Sequence, residues 1–241
     1  MKRIILLLVV TLLLLVGCSN HLYENLGDDE RYEIANKFYA EKKYKKAIAI
    51  YESIVNYKTS GVTSDAQLKL ADAYYELKDF ESARMEYQLM MKYSSNMADL
   101  EVAYYRIGVC FWETSEPASY TQDETNAAIS SLIEYLDRYP TGKYRVESRE
   151  IIKKAELKLI EKEYLNGYIY VKIPDYSSAL IYFEDVLARG YTNEFDLKSA
   201  YYSAYIYHEQ GNKDKAKSFL EYLKVSYPDS KLTRRIEKKI N

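Results

Sequence analysis

An all-α fold, a solenoid of about five stacked helical pairs, is what this sequence predicts, on three observations. Glycine and proline are scarce, 8 and 4 in 241 residues, so the chain has few places where it is forced to turn. No segment of strand length alternates cleanly between apolar and polar side chains. A register of small and aromatic residues, rich in the 28 tyrosines, recurs five times at helical spacing, and such recurrence is what stacked repeats leave in a sequence.

The first element precedes the repeats. Lys2 and Arg3 lead into Ile4 to Val16, an apolar run of 13 residues interrupted only by Thr11, shorter than the roughly 20 residues that cross a bilayer. This is the layout of a signal peptide. Its end, Leu15-Val16-Gly17-Cys18, resembles the lipobox, where a peptidase cuts ahead of a cysteine that already carries diacylglycerol. Residues 1–17 are therefore expected to be a lipoprotein signal peptide, residues 18–29 a lipidated tether and residues 30–241 the helical domain. Cys18 would hold a covalent lipid, and no other cofactor is expected. Several acyl chains anchor stably where one is marginal, since each buried methylene contributes about 0.8 kcal/mol. The chain is thus expected to sit on a membrane without crossing it. Ser19 stands where an aspartate commonly retains such proteins at the inner membrane, which points to the outer one.

Charge and cysteine content narrow the classes. Residues 1–17 carry Lys2 and Arg3 and no acid, so their removal takes the formal net charge from −2 to −4. That disfavours nucleic acid, whose binding rests on clustered Lys and Arg. With Cys18 lipidated only Cys110 is left, so no intramolecular disulfide can form; its neighbours Ile107, Val109, Phe111 and Trp112 mark it as a small buried hydrophobe.

The repeats follow in order. Ala47, Ala83, Ala128, Ala179 and Ala216 are each followed four residues later by a large side chain: Tyr51, Tyr87, Leu132, Phe183 and Leu220. Twelve residues ahead of four of these alanines stand Ala35, Ala71, Gly167 and Ala204, each followed three residues later by Phe38, Tyr74, Tyr170 or Tyr207. Gly108 and Phe111 supply the same parts in the third copy, 20 residues ahead of Ala128. This pattern matches the tetratricopeptide repeat. Two antiparallel helices approach to about 8–10 Å only where the crossing residues are small, and the aromatics fill the space beside the crossing. Pro140 and Pro228 fall 12 residues after their alanines and end the second helix; Thr59, Ser95 and Tyr191 take that place in the other copies.

The irregular spacings have local readings. The extra residues of copy three lie in "ETSEPASYTQDET", a polar turn with Pro117 expected to project as a longer loop. Ala128 and Ala179 are 51 residues apart, and Lys143 to Ile173 contains neither proline nor a turn cluster; the first helix of copy four is expected to be lengthened back through "ESREIIKKAELKLIEKEY". After Pro228, "DSKLTRRIEKKI" offers an Asp or Ser cap and an amphipathic run suited to closing the stack.

In stacked pairs the first helix of each lines the concave face. Positions three before, one after and four after each small residue share that face: Tyr32, Asn36, Tyr39; Leu68, Asp72, Tyr75; Tyr105, Val109, Trp112; Tyr164, Tyr168, Val171; and Tyr201, Tyr205, His208. Nine of the fifteen are Tyr or Trp in a chain that is 15% aromatic. Rings with polar tips suit an extended or turned peptide, although such rings also pack between neighbouring repeats. Catalytic patterns are missing: two histidines, His21 and His208, make no common zinc triad, and HExxH, paired CxxC, P-loop and GxSxG do not occur. Neither a catalytic role nor a metal is expected.

"LKLADAYYELKDFESARMEYQLMMKYS" (68–94), "EVAYYRIG" (101–108), "LDRYPTGKY" (136–144) and "LIEKEY" (159–164) resemble the BamD family of outer-membrane assembly lipoproteins, and the order and spacing of the repeats resemble it as well. The resemblance implies a non-catalytic scaffold in the β-barrel assembly machine, at the periplasmic face of the outer membrane. Its N-terminal repeats would receive unfolded outer-membrane proteins through Tyr32, Tyr39, Tyr75, Tyr105 and Trp112. Its C-terminal half, lined by Tyr164, Tyr168, Tyr201 and Tyr205, would hold a BamA-like barrel insertase. Another repeat lipoprotein, coordinating cell-wall synthesis or division, would share the anchor and the repeats.

Overall fold

The computed structural model of the protein describes residue 23 and residues 25–56 and 61–241. The leader, Cys18, His21 and Thr59 lie outside these residues. Those described form eleven helices and no strand: α1 (Asp28–Ala40), α2 (Tyr44–Val55), α3 (Thr63–Glu76), α4 (Phe80–Met90), α5 (Met97–Thr114), α6 (Asp123–Arg138), α7 (Arg145–Lys172), α8 (Tyr176–Ala188), α9 (Glu194–Glu209), α10 (Lys213–Ser226) and α11 (Lys231–Ile240). The small residues fall within the first ten, one per helix, so α1–α2, α3–α4, α5–α6, α7–α8 and α9–α10 are the five expected pairs.

The turn inside a pair repeats with its own chemistry. Seven residues after the small residue the backbone enters the left-handed region at Lys42 (φ 58°), Lys78 (φ 62°) and Gly211 (φ 74°), where only glycine, having no Cβ, is free of crowding. The next residue is the N-cap of the second helix. Asp79, Asp175 and Asn212 accept hydrogen bonds from the backbone N–H of Ser82, Ser178 and Lys215 at 3.2 Å, satisfying donors the helix leaves open. Pro140 and Pro228 each lie just beyond a helix, α6 and α10. At Ser95 and Tyr191 no proline is needed, because α4 and α8 have already ended at Met90 and Ala188.

The chain divides into two compact units. The first comprises the described residues up to Thr114 together with Ala127–Ile151, and the second Ser115–Asn126 with Ile152–Asn241. In the first unit Ala35, Ala47, Ala71, Ala83 and Ala128 are fully buried, as are Tyr51, Tyr87, Leu132 and Tyr135. A methyl group on Gly108 would meet the Leu132 side chain at 2.6 Å, so α5 and α6 cross as closely as backbones allow. Tyr135 also organises the turn after α6. Its hydroxyl donates to Glu101 Oε1 (2.9 Å) and accepts from the Tyr144 N–H (2.8 Å), while the Lys143 N–H donates to the same carboxylate at 2.6 Å. A Cβ on Gly142 would collide with that hydroxyl.

In the second unit Ala179, Phe183, Ala204 and Ala216 are fully buried and Leu220 nearly so. Gly167 is the close-approach point, where a Cβ would meet the Phe183 ring at 2.7 Å. Helix α7 is lengthened to 28 residues as expected. Helix α11 is capped by Ser230, the serine of the two expected caps, whose hydroxyl accepts from the Leu232 N–H at 3.1 Å, and it buries Thr233 and Ile236.

The loop between α5 and α6 departs from expectation. Residues 115–122 are not helical, yet the segment lies down on α7 instead of projecting: Lys158 donates to Ser115 Oγ (2.6 Å) and to the Glu116 carbonyl, and Lys162 to the Ser119 carbonyl. Ala118 and Gln122 are buried, and the Gln122 amide donates to the carbonyls of Pro117 and Tyr120. Long lysines on a lengthened helix supply donors that the loop carbonyls would otherwise have taken from water.

Candidate peptide-binding groove

The candidate groove residues of the first unit lie on α1, α3 and α5. All five aromatic candidates, Tyr32, Tyr39, Tyr75, Tyr105 and Trp112, are half-buried. Tyr32 tilts on Tyr51 at 6.0 Å between centroids, and Tyr39 meets Tyr44 edge-on at 5.3 Å. Tyr75 meets Phe80 edge-on at 5.3 Å, and Tyr105 stacks on Tyr144 at 4.2 Å with 4° between the planes. Val109 is buried. Burial raises the hydroxyl pKa of Tyr32, Tyr39, Tyr75 and Tyr105, so these groups remain neutral donors at physiological pH.

Two polar residues of this face turn inward to partner buried tyrosines. Asn36 Oδ1 accepts from the Tyr51 hydroxyl, and Asp72 Oδ1 from the Tyr87 hydroxyl, both at 2.7 Å. The position after the small residue thus answers the aromatic of the second helix in the first two pairs. In the third pair both members are apolar, Val109 and Leu132.

Cations complete the face. Lys69 Nζ lies 5.3 Å over the Tyr39 ring and 3.8 Å from Asp72, and the Arg106 guanidinium lies 4.1 Å over Tyr75. Both stand two residues before the small residue of their helix and cover the aromatic four residues after that of the preceding pair. Arg106 Nε is buried with no hydrogen-bond partner among the described residues. The result is a row of rings with positive charge held on it, where an extended segment could set aromatic side chains against rings and a carboxylate near the cations. Helical spacing identified the tyrosines, whereas Lys69, Arg106 and Tyr144 escaped it; cations at the same offset in two successive copies were the available signal.

Asp72 carries a pH signature. Desolvation raises its carboxyl above the ordinary value, outweighing the Tyr87 hydrogen bond and the Lys69 and Arg106 charges that act to lower it, while Glu76 adds to the rise. An acid with a folded-state pKa above its unfolded one holds the extra proton in the fold. Its charge therefore costs stability above that pKa, and the cost is relieved as pH falls through it. Asp72→Asn keeps the acceptor for Tyr87, as Asn36 does for Tyr51, and is expected to be more stable than the native chain at neutral pH. Thermal melts should show this margin shrinking as pH approaches the ordinary carboxylate range; a margin that widened would overturn the assignment.

The second unit treats its candidates differently. Tyr164 is 8% exposed, its ring 6.1 Å from Phe183 and 5.7 Å from Phe195, and so belongs to the core between helices. Tyr168 is half-buried beside Tyr202 at 5.4 Å, with Lys172 over its face at 4.9 Å. Tyr201 is 7% exposed and edge-on to Tyr202 at 5.1 Å. Tyr205 carries Lys239 Nζ of α11 over its ring at 4.3 Å. Helix α11, expected to close the end of the stack, packs on both α9 and α10, and its charged side borders Tyr201 and Tyr205.

The chain is similar to several known proteins. The family model described as YfiO, outer membrane lipoprotein, matches residues 25–218. The outer membrane protein assembly factor BamD of Rickettsia prowazekii (strain Madrid E) is 25% identical over 193 residues, 79% of this chain and 76% of that protein. Among solved structures, the TPR2AB domain of yeast Sti1 in complex with pHSP90 aligns with a TM-score of 0.47 at 16% identity, over 88% of this chain and 82% of that one. A TPR repeats protein from Bacteroides fragilis NCTC 9343 aligns with a TM-score of 0.45 at 10% identity, over 89% and 97%.

Proposed function

The chain belongs to the YfiO outer membrane lipoprotein family, and on that premise we propose that it is a scaffold of outer-membrane protein assembly. It is non-catalytic, held by a lipid on Cys18 at the periplasmic face of the outer membrane. It receives segments of unfolded outer-membrane proteins in the groove of its first unit, and its second unit holds a BamA-like barrel insertase. The anchor confines both partners to one surface and raises their local concentration.

The observation that carries the reading is the ring-and-cation row of Tyr39, Lys69, Tyr75 and Arg106. Rings of this kind offer apolar area and a polar edge at small entropic cost, and the cations suit a segment that ends in an aromatic residue and a free carboxylate. Replacing Tyr75 and Trp112 by alanine is expected to weaken binding of such a peptide by about tenfold or more, the scale at which aromatic anchors act in interfaces. Fluorescence anisotropy with a labelled peptide measures it, and unchanged affinity would remove the groove. The partner is tested by purifying the native protein from detergent-solubilised membranes and identifying its companions by mass spectrometry. A barrel insertase is expected; cell-wall or division proteins in its place would overturn the assembly role and leave the repeats standing.

A further inference from the structure

Helix α11 segregates charge. Lys231, Arg234, Arg235, Lys238 and Lys239 stand against one acid, Glu237, in ten residues of a chain whose formal net charge is −2. Its apolar edge, Leu232, Ile236 and Ile240, belongs to the core shared with α9 and α10. Glu237 is taken by Lys224 at 2.9 Å, and Lys239 pairs with Glu209 at 2.7 Å. Lys231, Arg235 and Lys238 are exposed and have no carboxylate partner among the described residues. All five cations border a cleft of about 520 Å³ whose other side is formed by Tyr201 and Tyr205. Like charges at this helical spacing repel, so the helix alone would be more stable with fewer of them.

We propose that this cleft binds an acidic, extended peptide segment of a partner protein. Lys231 to Lys239 spans about 12 Å of helix axis, the length of about four residues of extended chain. Carboxylates on such a segment meet the cations, and a side chain turned the other way packs on Tyr201 and Tyr205. A cleft with an aromatic side accommodates a strand-like segment and gives its side chains a ring to pack on. The inference rests on the proposed scaffold role only for which protein supplies the segment.

The test uses the full-length protein in detergent and a short fluorescein-labelled peptide of alternating glutamate and alanine. Binding is expected, with affinity falling about tenfold in Arg235→Glu/Lys238→Glu and severalfold on raising NaCl to about 0.5 M. Both side chains are exposed, so the core edge of α11 is untouched, and the milder Arg235→Gln/Lys238→Gln should lose about threefold with an unchanged melting curve. Equal affinity in native and charge-reversed protein would overturn the proposal, as would equal binding of the glutamine version of the peptide. Capture of phosphatidylglycerol vesicles without peptide binding would overturn it in favour of lipid. If the peptide fails to bind while the insertase still co-purifies, the cleft falls and the scaffold stands. If the peptide binds and no insertase co-purifies, the cleft stands and the scaffold's partner falls.

Discussion

Replacing Cys18 by serine behind a leader that ends in an ordinary Ala-x-Ala cleavage site, so that cutting no longer requires the lipid, is expected to move the protein from the membrane fraction to the soluble periplasmic fraction almost completely. The hydroxyl of serine cannot take the thioether-linked diacylglycerol, so every acyl chain is lost at once. Each buried methylene contributes about 0.8 kcal/mol, and even one chain gives only reversible attachment, so nothing graded should remain. No helix among the described residues is long and apolar enough to cross a membrane, so they hold no second anchor of that kind. The helical domain, whose core lies elsewhere, should keep its melting temperature. Fractionation followed by immunoblotting decides it, and a variant that stayed with the membrane would remove Cys18 as the anchor.

The largest effect on the fold itself is expected at Tyr135. Its side chain is fully buried, stacks on Tyr139 at 5.6 Å and lies 5.9 Å from Tyr105. Truncation to alanine removes that ring and the hydroxyl on which the turn of Gly142 to Tyr144 is wound, and should cost about 3–5 kcal/mol, a large part of a domain's total stability. Phenylalanine at the same place keeps the ring. It leaves the Tyr144 N–H without its acceptor while Glu101 retains Lys143, so a loss of about 1–3 kcal/mol is expected. Urea unfolding of both variants separates the two contributions. If phenylalanine were as damaging as alanine, the hydroxyl would be holding much more than one turn.

Much of the architecture was legible because it rests on local rules. Ala47, Ala83 and Ala179 are small where helices cross, and their spacing is fixed by the helical period. The length of α7 followed from the lack of any proline or turn cluster over 143–173. Other features depend on neighbours that periodicity does not specify. The loop of Ser115 to Gln122 reads as polar and projecting, yet Lys158 and Lys162, some forty residues on, hold it down. Asn36 and Asp72 lie on the groove side by helical angle, but the hydroxyls of Tyr51 and Tyr87 draw them inward. Tyr164 and Tyr168 share one helix face by spacing, and Phe183 and Phe195 together commit Tyr164 to the core. The cations over Tyr39 and Tyr75 come from the following pair, so no single repeat contains the whole proposed recognition unit.

Trp112, half-buried on α5 beside the candidate groove, is the only tryptophan in a chain with 28 tyrosines. Excitation at the red edge of the absorption band selects that single indole, and its emission is a label-free optical signal from the third pair. Excitation at shorter wavelength feeds the same indole by energy transfer from surrounding phenols. The ratio of the two signals thus reads how closely the tyrosines gather around one known point, before and after a peptide is added.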